Sequence, residues 1–374
     1  NEQTNEVPYG RRVRDMHGEV LCRRAFRKYL SQRILQDIRP PEEEDSLHQS
    51  SSIDFLERTD HDKWKLRQGC TLHAYFSSTP CGNATVKKFA KLTKEKFRPE
   101  LTLWPTERHP PEIGHSIHLG QFALLVKKDA TVAVEDAEHD AIDTKRWGKY
   151  IVPVENIPTG TAPVYSKQGS LHTCSDKVCR WNYLGWQGSL LATLFEEPLH
   201  VKSITVGRKF SSVCFRRAVC CRIETDSPHN PHKGHCINHP SVMCTAVYVD
   251  PDAVVVPQQE GANDLQFTST QAFVWWPGLT QAHTLDSSTG LSTDPKELNS
   301  PVCSKRLTED FRTIQVELGT MNTKDFRDNP GQTLDDLRRL KLVVSPEYEA
   351  EKDNLLLHKV MRHWCKRYTT EVQP

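Results

Sequence analysis

The chain has 374 residues and a formal net charge of +1, from 49 Lys and Arg against 48 Asp and Glu. That length allows one large domain or two ordinary ones, and the balanced charge excludes a strongly basic footprint at the whole-chain level. No apolar run is long enough to cross a bilayer, no secretory leader is visible, and the 12 cysteines are too few and irregular for a secreted disulfide framework. A reduced intracellular compartment, nucleus or cytoplasm, is therefore expected. The chain does not begin with Met, so a truncated or processed start is expected too.

Residues 1–9 are polar and read as irregular. From about residue 17 to 37, HGEVLCRRAFRKYLSQRILQDI reads as an amphipathic helix, with Val20, Leu21, Phe26, Leu30, Ile34 and Leu35 at roughly helical period. RPPEEEDSLHQSSS (39–52) ends it as an exposed loop. CTLHAYFSS (70–78) is β-branched and aromatic and reads as a buried strand; Pro80 is then well placed to open a helix. Residues 95–170 read as a variable insertion. CSDKVCRWNYLGWQGSLLATLF (174–195) is a second helix, HVKSITVG (200–207) a strand and SSVCFRRAVCCRIET (211–225) a further helix. Residues 226–300 are loop-rich around VMCTAVYVD and QAFVWW. The last 70 residues carry two or three helices, including TLDDLRRLKL and PEYEAEKDNLLLHKVMRHWCKRY. This order predicts an α/β layered domain without internal repeats.

Three basic stretches, 10–28, 87–98 and 358–368, are either solvated helix faces or phosphate-binding surfaces. Cys220 and Cys221 read as core and FVWW (273–276) as a buried strand; HNPHKGHCINH (229–239), rich in His and Cys, is either a second metal site or, as its spacing matches no standard zinc pattern, a solvent loop, which is the preferred reading.

The chemistry concentrates at helix starts. His17 and Glu19 open the first helix, Cys81 follows Pro80 at the second, and Cys174 precedes Ser175 and Asp176 at the third. A helix N-terminus favours the thiolate that zinc requires. Three protein ligands with an open fourth position describe a catalytic zinc, whose bound water ionises near neutral pH. Glu19, beside such a metal but not on it, has the right position for a proton shuttle. The short pattern H-x-E…P-C-x-x-C is met only in part, because PCGNA has no second cysteine three residues on. A buried helix start with an unrelated Pro-Cys turn is the alternative.

HTCSDKVCRWNYLGWQGSLL (172–191) closely resembles the S-C-S-D-K-x-x-R-W-N-x-x-G-x-Q-G-S/A-L-L block of the adenosine deaminases acting on tRNA and on double-stranded RNA. DMHGEVLCRRAFRKYL resembles that family's D-S-H-A-E block, FSSTPCGNATV its strand–P-C-G-D-A segment, and EEPLHVKSITVG its E-P-I-Y segment, all in the family's order. The resemblance runs from about residue 8 to the C-terminus, weakly through 95–165 and 226–300. It implies a cytidine-deaminase-like layered α/β/α core with extra C-terminal helices. It implies one editase domain over 1–374 that lacks the family's first helix and strand. It implies that His17, Cys81 and Cys174 bind zinc, that Glu19 shuttles the proton, and that Asp15 helps order the site. The implied reaction is hydrolytic: water attacks C6 of adenine, ammonia leaves and inosine remains.

Arg24 lies seven residues after His17 and so faces roughly the same way, which reads as inward; Arg23 is its neighbour, and Lys177 and Arg180 follow Cys174 by three and six. Four inward cations are costly without counter-charge, which either acidic side chains or a bound polyanion must supply. The resemblance implies a buried inositol hexakisphosphate here. Its matching positions also include Trp181, Ser189, Lys305, Arg338, Tyr348, Lys352 and Trp364, with Arg338 where the family usually has Lys. Two departures stand out. H-G-E replaces H-A-E, and Ile157 in VENIPTG stands where the family has a lysine of the polar relay between zinc and inositol phosphate. Lys145 and Lys149 are the candidate substitutes.

No double-stranded-RNA-binding module and no base-flipping loop are visible, which makes the layout more like the tRNA-specific enzyme than the double-stranded-RNA editors. The expected substrate is the adenosine just 3′ of the anticodon of alanine tRNA. That base is already unpaired, so extruding it costs little. Editing of other RNA and a non-catalytic RNA-binding role are the alternatives. No DNA or membrane partner is expected, and a monomer is assumed.

Overall fold

The structure is a computed structural model that describes residues 9–13, 15–39, 55–80, 84, 174–210, 212–221, 223, 237–246, 271–287, 289–294, 297, 299–320 and 334–357. They fall into two bodies. One takes the described residues of Asn1–Thr71, Gly185–Leu199 and Phe267–Glu351; the other takes those of Leu72–Leu184, His200–Gln266 and Lys352–Pro374. The expected helix after Pro80, the 95–165 insertion and most of the loop-rich 226–300 stretch lie outside the described residues. Among the described residues, no helix is long and apolar enough to cross a membrane.

In the first body, α1 (Gly18–Ile38) matches the expected helix within a residue and buries Val20, Leu21, Ala25, Leu30 and Ile34. Leu21 and Ala25 join a core cluster with Val13, Val274, Trp276, Leu285 and Val302. Helix α5 (Ser304–Glu317) lies against α1 and buries Leu307, Phe311 and Ile314. Its start is capped by Cys303, whose Sγ accepts from Arg306 N at 3.5 Å. Leu30, Ile34, Phe311 and Ile314 are fully covered, and burial of each contributes about 1.5–3 kcal/mol. Near the ends of the two helices, Arg39 pairs closely with Glu317.

A short antiparallel hairpin, β1 (Leu56–Arg58) and β2 (Trp64–Leu66), was not expected from sequence. Strands of three residues carry too little alternation to be read. Trp64 anchors the hairpin: its N donates to Leu194 O at 2.8 Å and its Nε1 to Asp37 Oδ2 at 2.9 Å. A second antiparallel hairpin joins β6 (Gln271–Val274) to β7 (His283–Asp286). The FVWW segment is not a wholly buried strand. Val274 and Trp276 are buried, whereas Phe273 is 60% and Trp275 55% exposed. The period of two leaves one face covered and one open.

The single helix expected over 174–195 is two. Helix α2 (Cys174–Leu184) ends before Gly185, and α3 (Ser189–Ala192) begins after Gly188. Gly185 has φ +87°, and a Cβ there would meet Gln187 Oε1 at 2.2 Å. That Gln187 oxygen accepts from Leu199 N at 2.9 Å, so withdrawing it would break a buried hydrogen bond. The left-handed turn is therefore a glycine position. At the far end, α6 (Leu334–Val344) and α7 (Pro346–Leu357) supply the expected C-terminal helices.

The second body is built on a parallel sheet of order β3-β4-β5, with β3 Leu72–Ser78, β4 Val201–Arg208 and β5 Ser241–Cys244. Parallel neighbours require crossover connections. Helix α2 lies on the chain between β3 and β4. Helix α4 (Ser212–Arg216) and a π-helical turn (Arg217–Cys221) follow β4. The helix expected over 211–225 is thus shorter and ends in a π turn. β4 is the central, mostly buried strand. β3 was expected to be buried but is mostly half-covered, with Tyr75 45% exposed, because it has a partner on one side only among the described residues. The sheet and its helices are the expected α/β class.

Gly185→Ala is predicted to lower the free energy of unfolding by about 1–3 kcal/mol, from an unfavourable φ and displacement of Gln187. Urea denaturation of the full chain measures it; an unchanged midpoint would contradict this account of the helix break.

Candidate functional site

The start of α1 is organised by one carboxylate. Asp15 is buried, and its Oδ1 accepts from His17 N at 3.1 Å and lies 2.9 Å from His17 Nδ1. The first contact turns the chain into the helix in the manner of an Asx turn. The second fixes the imidazole ring and assigns a proton to Nδ1, so Nε2 is the nitrogen suited to a metal. His17 is the residue that caps α1, its O accepting from Val20 N at 2.9 Å and Leu21 N at 3.1 Å. Its side chain is 52% exposed, so the inward direction expected for it is not observed. Glu19 sits half-buried in the first turn of the same helix. A Cβ on Gly18 would meet nothing within 4 Å, which agrees with a small effect of H-G-E in place of H-A-E.

Cys174 is the first residue of α2 and is fully buried in the second body. Cys81 lies outside the described residues, but the two residues before it do not. Thr79 N and Oγ1 both donate to Arg208 O at 3.0 Å, and Oγ1 is 2.8 Å from Lys209 O. This ties the chain entering the Pro-Cys step to the end of β4. His17, Glu19 and Asp15 thus belong to one body and Cys174 to the other.

The basic stretch 10–28 is not a solvated helix face. Arg23 Nε donates to Trp186 O at 3.0 Å, and Arg24 Nη1 to Val302 O at 2.8 Å. These acceptors are carbonyls and carry no full charge. Lys28 is different: it pairs with Asp310 at 2.7 Å. Between them lies Arg27, which sequence reasoning missed. Its Nε is buried with no hydrogen-bond partner. Burial first, and Arg24 next, lower its guanidinium to about 10, while Tyr348 and Asp310 work in the other direction. Arg27 Nε is covered although the side chain as a whole is half-buried, and the guanidinium needs room beside the α2–α3 turn. Gly188 makes that room: at φ +79° it carries no Cβ, and one placed there would sit 3.1 Å from both Arg23 Nη2 and Arg27 Nε. The signal in the sequence was the spacing of 23, 24 and 27, which puts all three on one side of a helix.

Other expected anion contacts divide between the bodies. In the first, Ser189 is buried and its O accepts from Ser345 Oγ at 2.7 Å. Tyr348 is buried and acts on Arg27, Arg338 is half-buried, and Lys305 reaches Glu309 at 3.7 Å. In the second, Lys177, Arg180 and Lys352 are half-buried and Trp181 is buried. Trp364, Ile157, Lys145 and Lys149 lie outside the described residues.

The Cys220–Cys221 pair is not simply core. Cys221 is half-buried, 3.6 Å from Cys220 Sγ and 3.8 Å from His239 Nδ1. The Cys220 thiol, donating to Cys221, holds that neighbour down at about 6, with His239 adding to the effect. The same hydrogen bond and burial push Cys220 up.

The Adenosine-deaminase (editase) domain family matches this chain over residues 2–367, and the chain belongs to that family. Among curated relatives, the double-stranded RNA-specific adenosine deaminase of Mus musculus is 28% identical over 247 residues, covering 64% of this chain and 18% of the relative. The tRNA-specific adenosine deaminase 1 of Mus musculus is 23% identical over a 407-residue alignment, covering 90% of this chain and 79% of the relative. Its Homo sapiens counterpart is 25% identical over 280 residues, covering 58% of this chain and 54% of the relative. The chain therefore spans under a fifth of the length of the first of these and most of the second.

Arg27 has a folded value below its ordinary 12.5. At neutral pH it is charged both folded and unfolded, so its burial cost is constant there. Only above about 10 does the native chain release this proton first, and this group then makes stability rise with pH. In protein refolded from denaturant in anion-free buffer, Arg27→Met is therefore predicted to stabilise the fold at pH 7 by on the order of 1–3 kcal/mol. Denaturant midpoints of the two proteins measure it, and a destabilised variant would contradict an uncompensated charge.

Proposed function

We propose that the chain is a zinc-dependent hydrolytic adenosine deaminase acting on tRNA, at the adenosine just 3′ of the anticodon of alanine tRNA. The observation that carries the chemistry is the grip of Asp15 on His17 Nδ1 at 2.9 Å, with Glu19 in the first turn of the helix that His17 caps. Carboxylate–histidine pairs of this kind orient an imidazole for a metal. His17, Cys174 and Cys81 are the residues that would hold zinc. A borderline-soft cation suits one imidazole and two thiolates, and the start of α2 favours the thiolate of Cys174. When bound, zinc supplies the Lewis acidity that lets water ionise near neutral pH.

Glu19 takes the proton from the attacking water and hands it to the departing amino group. The C6–O bond forms first as water adds across C6=N1; the C6–N bond then breaks, so that one water proton leaves in ammonia, the other remains as N1–H, and adenosine plus water becomes inosine plus ammonia. Asp15 keeps the imidazole in one tautomer throughout. A cytidine-deaminase-like layering in a single editase domain fits the parallel sheet and its crossover helices. Inositol hexakisphosphate is the second bound group of this reading. The orphaned Arg27 Nε, the Gly188 cradle and the carbonyl-bound Arg23 and Arg24 suit a dense polyanion.

The tRNA assignment rests on coverage: the alignment with the mouse tRNA-specific enzyme takes in 90% of this chain and 79% of that protein. Double-stranded RNA is the second reading, favoured by the higher identity of 28% over the shorter stretch. The free thiols among the described cysteines suit a reduced intracellular compartment, nucleus or cytoplasm.

Purified protein incubated with alanine tRNA and, separately, with a long RNA duplex tests both readings. Inosine is expected beside the anticodon of the tRNA. Glu19→Gln should lower the rate by about 10²–10⁴-fold, the usual weight of a proton-transfer group, with zinc content unchanged. Inosine only in the duplex would overturn the substrate, and a fully active Glu19→Gln protein would overturn the mechanism.

A further inference from the structure

Outside the residues proposed for catalysis, one cluster has the donors and the spacing of a metal centre. Cys220 Sγ, Cys221 Sγ and His239 Nδ1 all lie within 4.8 Å of one another. The two sulfurs are 3.6 Å apart, and Cys221 Sγ is 3.8 Å from His239 Nδ1. With zinc–sulfur bonds of about 2.3 Å and zinc–nitrogen bonds of about 2.0–2.1 Å, a tetrahedral centre separates two sulfurs by about 3.8 Å and sulfur from nitrogen by about 3.6 Å. Both observed separations are within a few tenths of an ångström of those edges. Two thiols resting against each other in a core would not require an exposed histidine on the second of them.

We infer that Cys220, Cys221 and His239 form a second metal site, selective for zinc or a comparably soft divalent cation, that fastens the segment entering β5 to the π turn after α4.

The backbone around the three donors is already held. Asn182 of α2 is fully buried; its Nδ2 donates to Val219 O at 2.9 Å, and its O accepts from Asn238 N at 2.9 Å. One residue thus fixes the residue before Cys220 through its side chain and the residue before His239 through its backbone carbonyl. Asn238 Nδ2 donates to Val201 O at 2.8 Å, tying the same segment to β4. Pinning of this sort by groups behind the ligands is what keeps metal donors in register. The π turn over Arg217–Cys221 matters as well. Its wider ring changes the direction of successive side chains, and here both thiols approach one point. Coordination would replace the two thiol protons, which pass to solvent. Three protein donors leave a fourth position for water. The cluster is distinct in sequence from His17, Cys81 and Cys174, so it stands whether or not the deaminase reading holds.

His239 is exposed, so His239→Gln should fold as the parent does, which circular dichroism checks. Full-length protein is prepared under reducing conditions, supplied with zinc and freed of excess, and its metal is counted by elemental analysis. The parent should hold one zinc more per chain than His239→Gln. Cys174→Ser, which removes a ligand of the proposed catalytic centre, should lose a different equivalent, so the two losses add in the double variant. On cobalt substitution, the parent should show thiolate-to-cobalt charge-transfer absorption that weakens in His239→Gln and also in Cys221→Ser. Equal zinc in the parent and His239→Gln would overturn the inference. So would a reduced, zinc-supplied parent whose mass shows a Cys220–Cys221 disulfide.

Discussion

Charge burial on α1 is the constraint on which most of the first body depends. Three arginines within five residues lie on one side of α1, and Arg23 and Arg24 donate to carbonyl oxygens. The third keeps an orphaned Nε in an enclosed place. Desolvating a cation without full counter-charge opposes folding by several kcal/mol in real proteins. The neighbouring features follow from making room for this set. Gly188 gives up its side chain beside Arg23 and Arg27, Gly185 turns the chain so that its carbonyl and that of Trp186 face Arg23, and α5 offers Asp310 to Lys28. Removing the helix break would remove the acceptors.

The same helix carries the proposed chemistry at its other end. Asp15, His17 and Glu19 are set by the first turn, and the arginines begin one turn further on. A rigid α-helix holds both sets in fixed relation, so the proposed polyanion, once bound by the arginines, would steady the frame on which His17 and Glu19 are mounted. Asp15 does two jobs with one oxygen, forming the turn and orienting the ring. An asparagine there would keep the turn and lose the charge that polarises the imidazole.

Much of this was legible in the sequence, and the exceptions have physical causes. Helix α1 could be read because its apolar residues recur at roughly helical period from Val20 to Leu35, about four turns. β4 could be read because it is central and covered on both faces. The α2–α3 break was hidden because Gly185 and Gly188 sit inside an otherwise helical pattern, and only their positive φ and the clash with Gln187 reveal the turn. FVWW was misread because four apolar residues in a row do not disclose which alternate ones reach a core. Arg27 was passed over because it resembles any arginine on an exposed face; only the packing of α5 and the Gly188 turn enclose it. The His- and Cys-rich stretch 229–239 suggested a metal, but its union with Cys220 and Cys221 was hidden because Cys221 and His239 are 18 residues apart and converge through a π turn and Asn182. The Asp15–His17–Glu19 set was the easiest to see, since its members are adjacent and their geometry is local.

The central claim is that a bound polyanion completes this protein by neutralising the arginines of α1. Native mass spectrometry of the full chain, purified without phosphate and with no inositol phosphate added, tests it most directly. The account predicts a folded species heavier than the polypeptide plus its metal by one inositol hexakisphosphate, released only when the protein unfolds. A folded, thermally stable chain with no phosphate-bearing adduct would contradict it.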